Sequence, residues 1–292
     1  MKRILIGIFL FTVLNSIAQT NTIRNLQAIT DGKQTFYNTE GYEGFQMDFE
    51  LYFDEKGFRK VKQKLNIEKE TPISDSPDFP NVKVIEEHIV QAGGVVTHQI
   101  YYLSTPRWGI LKVVSFGTHC DRVPAIEKEL YTEIIKKTLP KSVFTPFNVD
   151  TVMFAGRPID LGSSCHWMGI RNLQCPDYGQ MNWSEFSDSV RAKQMIAGQL
   201  ALNNDPEKYD LLEQKLVNVI FEGQEVQALR CTLKIGIPEL IMGGSNVLIV
   251  YYVTAKVRDR YVSCVMSQYT DDVGVKTNKL ALLLAEVMQL KK

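Results

Sequence analysis

Apolar residues recur along this chain in short runs that are separated by turn residues. The runs 95–104 and 247–253 are rich in β-branched and aromatic side chains, which predicts strands. Glycine pairs at 93–94 and 243–244 precede them and predict turns, because residues without Cβ tolerate positive φ. The alternation of such runs with turns predicts antiparallel sheets.

Apolar stripes at helical spacing lie between and after the strands, which predicts helices that cover a sheet face. The first stripe of each half consists of Phe58, Val61 and Leu65, and of Phe186, Val190 and Leu200. The closing stripes are Ile126, Leu130, Ile134 and Ile135, and Leu280, Leu283, Leu284, Val287 and Met288. Pro124 suits the first turn of the closing helix predicted for the first half. The predicted fold class is α+β, with each antiparallel sheet packed by helices.

The pattern repeats within the chain, which indicates two tandem copies of one module. Three pairs of segments match in the same order, at offsets of 134, 150 and 153 residues. They are 46–49 with 180–183, 101–104 with 251–254, and 132–135 with 285–288. Prolines at 140 and 146 interrupt the periodicity between the copies. We therefore expect a first α+β module at 19–141 and a second at 142–292.

The first 18 residues have the form of a secretory signal peptide. A basic start at 1–3 precedes the uncharged run 4–14, and the small residues Ser16 and Ala18 follow. We expect cleavage after Ala18 and a mature chain in the periplasm or outside the cell. The apolar run is shorter than the ~20 residues that a transmembrane helix needs, and no later run is long enough.

The order helix, hairpin strands and closing helix in 93–139 and 243–290 resembles the α/β/α sandwich of PsbP/Mog1-type proteins. The resemblance covers about a third of the chain and carries no catalytic motif. It implies a binding or assembly module, since that fold group is mostly non-enzymatic. No binding residues of the family can be transferred, and 165–183 has no counterpart in it.

Charge and motifs narrow the classes of function. Removing Lys2 and Arg3 from 33 basic side chains leaves 31 against 33 acidic ones, so nothing attracts nucleic acid or anionic lipid at long range. An apolar content of 45% indicates a folded chain. Hydrolase-elbow, zinc-protease, phosphate-loop and dinucleotide motifs are missing. We expect no cofactor and no metal, and an enzyme is the less favoured reading.

The segment 165–183 is the densest in unusual side chains, with two of the five cysteines and two of the three tryptophans. A disulfide between Cys165 and Cys175 is the first interpretation, because an exported chain meets oxidising conditions. Metal binding by both cysteines with His166 is the second, although a fourth ligand is missing. Cys165 as a thiolate nucleophile and two buried thiols remain further alternatives.

Aromatic side chains in the same segment are candidates for a binding surface, because aromatic residues are enriched at binding hot spots. They are Trp167, Tyr178 and Trp183. The competing interpretation places them in the core. The match of Trp183 to Phe49 favours the core for Trp183.

The remaining cysteines and histidines have weaker signals. His119 and Cys120 end a strand, where neighbouring side chains point to opposite faces, so that histidine is a poor base for that thiol. His88 beside two glutamates is typical of a solvated face. Cys231 and Cys264 lie on apolar strands typical of buried thiols, and the sequence leaves their redox state open.

Three functional hypotheses remain. The first is an exported, non-catalytic binding or assembly protein of unknown partner. The second is a hydrolase or thiol enzyme with a site between the modules. The third is a carrier of a small apolar ligand. A convergent Cys, His and acid would favour the enzyme, and an enclosed apolar cavity of several hundred Å³ would favour the carrier. An exposed aromatic patch without either feature would favour the binding protein.

Overall fold

The computed structural model describes residues 22–23, 25–107, 110–146, 150–161, 165–175, 179–203, 209–237, 245–269 and 280–291. The chain divides into two compact units. The first contains Met1–His88 and His98–Thr145, and the second Ile89–Thr97 and Pro146–Lys292. The predicted signal peptide lies outside the described residues. Within them, no helix combines the length and the apolar character that crossing a membrane requires.

The first unit is built on a seven-stranded antiparallel sheet of order β1-β2-β3-β7-β6-β5-β4. The strands are β1 (Gln27–Asp31), β2 (Gln34–Thr39), β3 (Tyr42–Phe49), β4 (Ser74–Asp75), β5 (Lys83–Val90), β6 (Val96–Arg107) and β7 (Ile110–Thr118). The helices are α1 (Glu55–Lys64) and α2 (Pro124–Lys136). The Asp54 side chain caps α1 by accepting from Gly57 N, and Pro124 opens α2 as predicted.

The helices α1 and α2 cover opposite faces of the first sheet, because alternate side chains of its strands are apolar on both sides. Phe58 and Val61 of α1 pack on one face, against Leu103 and Val113. Leu130, Tyr131 and Ile134 of α2 pack on the other. These residues are all buried.

A buried polar group fixes the start of α2. Tyr42 accepts a hydrogen bond from Val123 N at 2.7 Å and donates to Glu127 Oε1 at 3.1 Å. Arg122 contributes two further bonds to Glu127, at 2.9 and 2.6 Å. The carboxylate of Glu127 therefore lies in the core with its charge compensated.

The second unit is built on an eight-stranded antiparallel sheet of order β10-β11-β12-β16-β15-β14-β13-β17, with a separate hairpin β8-β9. The hairpin strands are β8 (Thr151–Phe154) and β9 (Arg157–Asp160). The sheet strands are β10 (His166–Gly169), β11 (Asn172–Cys175), β12 (Gly179–Phe186), β13 (Tyr209–Phe221), β14 (Gln224–Ile235), β15 (Val247–Val257), β16 (Arg260–Tyr269) and β17 (Met288–Leu290). The helices are α3 (Ser189–Asn203) and the single turn α4 (Leu282–Ala285).

The larger core of the second unit lies on one face of this sheet. Trp183, Val253 and Cys264 from the sheet pack there with Phe154 of the β8-β9 hairpin and Leu284 of α4. On the opposite face, Ile196 and Leu200 of α3 pack near Cys231 and Tyr252. Both units are thus antiparallel sheets with few helices, which confirms the α+β class in its coarse form.

An ionic cluster links the hairpin to the turn between β13 and β14. Glu222 lies in that turn with φ of 48°. Its side chain is 5% exposed and accepts from Arg157 at 2.7 Å and from Arg258 at 2.8 Å. Arg258 also donates to the backbone carbonyls of Phe154 and Ala155. Burial alone would raise the pKa of Glu222, but the two arginines together hold the pKa below its ordinary value.

The closing helix predicted for the second half is wrong over most of its length. The apolar stripe 280–288 forms only the turn α4, and the chain then enters strand β17. Phe221 pairs with Met288 and Val219 with Leu290, so β17 satisfies backbone groups at the end of β13. Edge hydrogen bonding has overridden a weak helical preference.

The first helix of the second half also begins later than its apolar stripe suggests. Phe186 is the last residue of β12 and is buried there. Val190 is in α3 but is 58% exposed. The residues that α3 buries are Arg191, Ala192 and Met195.

Two of the three pairs of matched segments lie on corresponding strands of the two sheets, whereas the third pair matches 132–135 of α2 with 285–288, where the chain leaves α4 and enters β17. In both, the strand before the first helix pairs with the last long strand, β3 with β7 and β12 with β16. The matched tetrapeptides are 46–49 on β3, 180–183 on β12, 101–104 on β6 and 251–254 on β15. Their faces differ, because Tyr102 packs against the closing helix α2 and Tyr252 against α3. Successive residues of a strand point to opposite faces, so shifting an alignment by one residue turns the strand over. The offsets of 150 and 134 therefore align residues that lie on opposite faces of the two sheets.

Candidate functional site

The predicted disulfide is present. Cys165 and Cys175 are bonded, with an S–S distance of 2.01 Å. They flank the β10-β11 hairpin, and Cys175 is buried while Cys165 packs at the edge of the core. In this state Cys165 has no thiolate to offer, so the nucleophile and metal interpretations of Cys165 do not apply.

Replacing both cysteines with serine is expected to lower the free energy of unfolding by about 2–3 kcal/mol, because the bond restricts a short loop in the unfolded chain. Urea unfolding of the wild type and of the Cys165→Ser/Cys175→Ser variant measures the loss. Reductant should lower the free energy of unfolding of the wild type by the same amount and should leave that of the variant unchanged. Equal stability of the two proteins under oxidising conditions would contradict the structural role of the bond.

The three aromatic candidates lie in different environments. Trp183 is 1% exposed and its ring lies 5.4 Å from that of Phe154. Trp167 is partly buried and packs at the margin of the same core. Tyr178 lies outside the described residues. A binding role for these residues stays a prediction, and for Trp183 it would require the core to open.

The other candidate thiols are poor nucleophiles as they stand. Burial raises the pKa of both Cys231 and Cys264. Cys120 is also buried, and its neighbour His119 is half-buried, which lowers the pKa of that imidazole. Within the described residues, no group of three or more His, Cys, Asp or Glu side chains converges at one point.

A cleft that the sequence did not predict lies in the first unit, where the end of α2 leaves one face of the sheet uncovered. We call it the α2 cleft. It has a volume of about 340 Å³. Its lining residues are Thr35, Tyr37, Gln46, Asp48, Ile110, Lys112, Ile134, Ile135, Lys137, Leu139 and Phe144.

One wall of the α2 cleft is polar and belongs to the sheet. Lys112 on β7 lies directly opposite Asp48 on β3, and the two side chains form an ion pair. The Lys112 side chain is 10% exposed, whereas that of Asp48 is 48% exposed. Tyr37 on β2 donates to Gln46 Oε1 at 3.3 Å, and burial raises the pKa of Tyr37, so the phenol keeps its proton.

The other wall is apolar and belongs to α2 and the segment after it. Ile134 and Ile135 come from the last turns of the helix, and Leu139 follows it. Phe144 is 41% exposed, and it is held in place because its residue bridges to Ala28 of β1. Such a wall can cover the apolar part of a small molecule.

The charges of the α2 cleft favour an anion. Lys112 and Lys137 line it together with a single carboxylate, that of Asp48. Lys137 ends α2 in the left-handed conformation with φ of 58° and is exposed. If a ligand placed a carboxylate or similar anionic group beside Lys112, that group and Asp48 would both interact with the Lys112 ammonium. No sequence motif marks this site, because its residues come from three strands, a helix and a loop.

The chain has distant likenesses to solved structures. No protein-family model matches the chain, and no curated protein matches it in sequence. DynU16, a protein of the dynemicin biosynthetic locus, is 12% identical with a TM-score of 0.20, over 92% of this chain and 88% of that one. The di-domain ARO/CYC StfQ of the steffimycin pathway is 10% identical with a TM-score of 0.15, over 89% and 80%. Likenesses this weak assign neither a fold nor an activity to this chain.

Proposed function

We propose that this chain is an exported, non-catalytic binding protein whose α2 cleft takes a small amphipathic anion. The observation that carries the proposal is the juxtaposition of a nearly buried lysine, Lys112, with an open apolar wall in a cleft of about 340 Å³. That volume falls in the range of small-molecule sites, ~300–1,000 Å³. The ligand would place its anionic group near Lys112 and its apolar body along Ile135 and Phe144.

Small organic acids with an apolar body, tested beside neutral amides of the same shape, provide the first experiment. An acid that binds the folded state raises its stability, by ~2.7 kcal/mol at 100 times its Kd. We expect acids to raise the melting temperature of the wild type more than their amides do. Ile135→Trp, which fills the cleft, should abolish the shift, while Lys136→Trp on the exposed side of α2 should keep it. Equal shifts in both variants, or none in the wild type, would refute the proposal.

A second candidate surface is the β10-β11 hairpin that the disulfide closes. Met168 at its tip is 61% exposed, and Trp167 is partly buried beside it. An exposed apolar side chain on a rigid hairpin suits contact with a partner protein. This candidate retains the prediction of a binding role for 165–183 and competes with the α2 cleft.

Export and duplication belong to the same proposal. The leader-like residues 1–18 and the Cys165–Cys175 bond support export, because disulfides persist in oxidising compartments. The intact mass of protein recovered from outside the cytoplasm should correspond to a chain that begins at Gln19. The common strand scheme of the two sheets supports tandem copies, and the helices on both faces of the first sheet support the resemblance to the PsbP/Mog1-type sandwich. The opposite faces of Tyr102 and Tyr252 argue against the particular residue matches.

A further inference from the structure

Two histidines of the first unit face each other across the β5-β6 hairpin. His88 lies on β5 and His98 on β6, five residues to either side of Gly93. Their Nδ1 atoms are 2.9 Å apart. The ring centroids are 5.0 Å apart, and the rings are nearly perpendicular, at 84°. His88 is exposed and His98 is partly buried, but their Nδ1 contact is exposed, so an ion from solvent can reach the two nitrogens.

We propose that His88 and His98 form a two-imidazole chelate for a divalent transition metal of tetragonal preference, Cu²⁺ above all. Nitrogens bound to one metal at ~2.0–2.1 Å lie about 2.9 Å apart when the angle at the metal is 90°, and about 3.4 Å apart when it is tetrahedral. The observed separation of 2.9 Å is that of an N–H···N hydrogen bond in the metal-free pair. It equals the right-angle value, so a tetragonal metal can replace the proton without a change in the distance between the two nitrogens. Imidazole is a preferred ligand of Cu²⁺, and Cu²⁺ is the tightest binder among the divalent first-row ions.

The sheet holds the two donors in place before any metal arrives. His98 is directly opposite Thr118 of β7 in the strand register. Donors fixed on strands keep their geometry better than donors on loops, so little conformational entropy is lost on binding. Glu86, two residues before His88, is held by Arg122 at 3.1 Å. The remaining equatorial positions of the metal would thus hold water or an external ligand.

The binding step is a ligand exchange without redox chemistry. In the metal-free pair, one Nδ1–H donates to the other Nδ1. The donor ring must first move its proton to Nε2, which leaves both Nδ1 lone pairs free. Each lone pair then forms a bond to the metal, and two bound waters leave. No net proton is released when both rings start neutral.

Copper titration of the full chain tests the proposal. After treatment with chelator, Cu²⁺ alone is added, and electron paramagnetic resonance and affinity are recorded. We expect one site whose nitrogen hyperfine pattern requires two imidazoles. Losing an outer partner of a metal-bound histidine already costs about 10- to 100-fold in affinity, so His88→Asn or His98→Asn should weaken binding by about 100-fold.

His166→Asn is the matched control, because His166 is an exposed strand histidine of the second unit, whereas the pair belongs to the first. It should leave the signal intact, and circular dichroism should show all variants folded. A wild-type spectrum with one imidazole, or equal copper affinity in the wild type and in the His88→Asn/His98→Asn variant, would overturn the proposal. The pair would then be a hydrogen-bonded contact only. The result does not depend on the α2 cleft.

Discussion

Replacing Trp183 with alanine is expected to lower the free energy of unfolding by about 3–5 kcal/mol, as for other large-to-small changes of buried aromatic residues. The indole is 1% exposed and packs on Phe154. In the strand register, Trp183 of β12 lies opposite Cys264 of β16. Its removal would leave a cavity in the larger core of the second unit. Collapse of that cavity is opposed by the sheet backbone, because Trp183 N also donates to Arg171 O at 3.0 Å.

Trp183→Phe separates packing from the indole N–H. Among the described residues, Trp183 Nε1 is buried without a hydrogen-bond partner. Phenylalanine removes that unpaired group while keeping an aromatic ring, so we expect a loss of only about 1–2 kcal/mol. Met168→Ala, at a site 61% exposed, is the control and should change stability by less than ~0.5 kcal/mol. Urea unfolding measures all three. A loss below ~1 kcal/mol in Trp183→Ala would place the indole outside the core and strengthen its prediction as a binding residue.

The second large effect concerns Glu222. Replacing it with glutamine at neutral pH leaves Arg157 and Arg258 without their shared carboxylate. Loss of one partner from a buried pair costs about 3–5 kcal/mol, and we reduce this to about 2–3 kcal/mol because the arginine side chains are more than a third exposed. Glu225→Gln is the control, since Glu225 is 70% exposed and its ion pair with Lys291 is on the surface.

The sign of the pH dependence follows from the lowered pKa of Glu222. The folded-state pKa lies below the ordinary value of 4.5, so the stabilisation is fully present above pH 4.5 and is lost as the pH falls through the folded-state pKa. The difference in the free energy of unfolding between the wild type and Glu222→Gln should therefore be constant near neutral pH and should decrease in acid. A difference that increases as the pH falls would contradict the ionised cluster.

Local signals in the sequence were sufficient for several elements. Pro124 with a regular apolar stripe predicted α2, which spans Pro124–Lys136. The glycine pair at 93–94 predicted a turn with positive φ, and both residues have it, at 68° and 73°. The cysteine spacing and the expected compartment predicted the Cys165–Cys175 bond. The counterpart pair at 243–244 lies outside the described residues.

Features that depend on contacts between segments far apart in the sequence could not be predicted from the local pattern of apolar and polar residues. The stripe at 280–288 fits a helix by spacing, but the end of β13 needs a hydrogen-bonding partner, and β17 supplies it. The repeat matched like residues without knowledge of strand register, so it aligned opposite faces of the sheets. The α2 cleft is lined by side chains from residues between 35 and 144, and none of them stands out within its own segment of the sequence. For the His88–His98 pair a signal did exist, in their equal distances from Gly93.

We propose that ligands bind in the α2 cleft and not on the β10-β11 hairpin. Isotope-labelled protein titrated with an acid that stabilises it, followed by amide chemical shifts, tests this most directly. We predict shifts concentrated on β2, β3, β7 and the end of α2, including Lys112 and Ile135. Shifts centred on 166–175, or shifts that persist unchanged in Ile135→Trp, would contradict the claim.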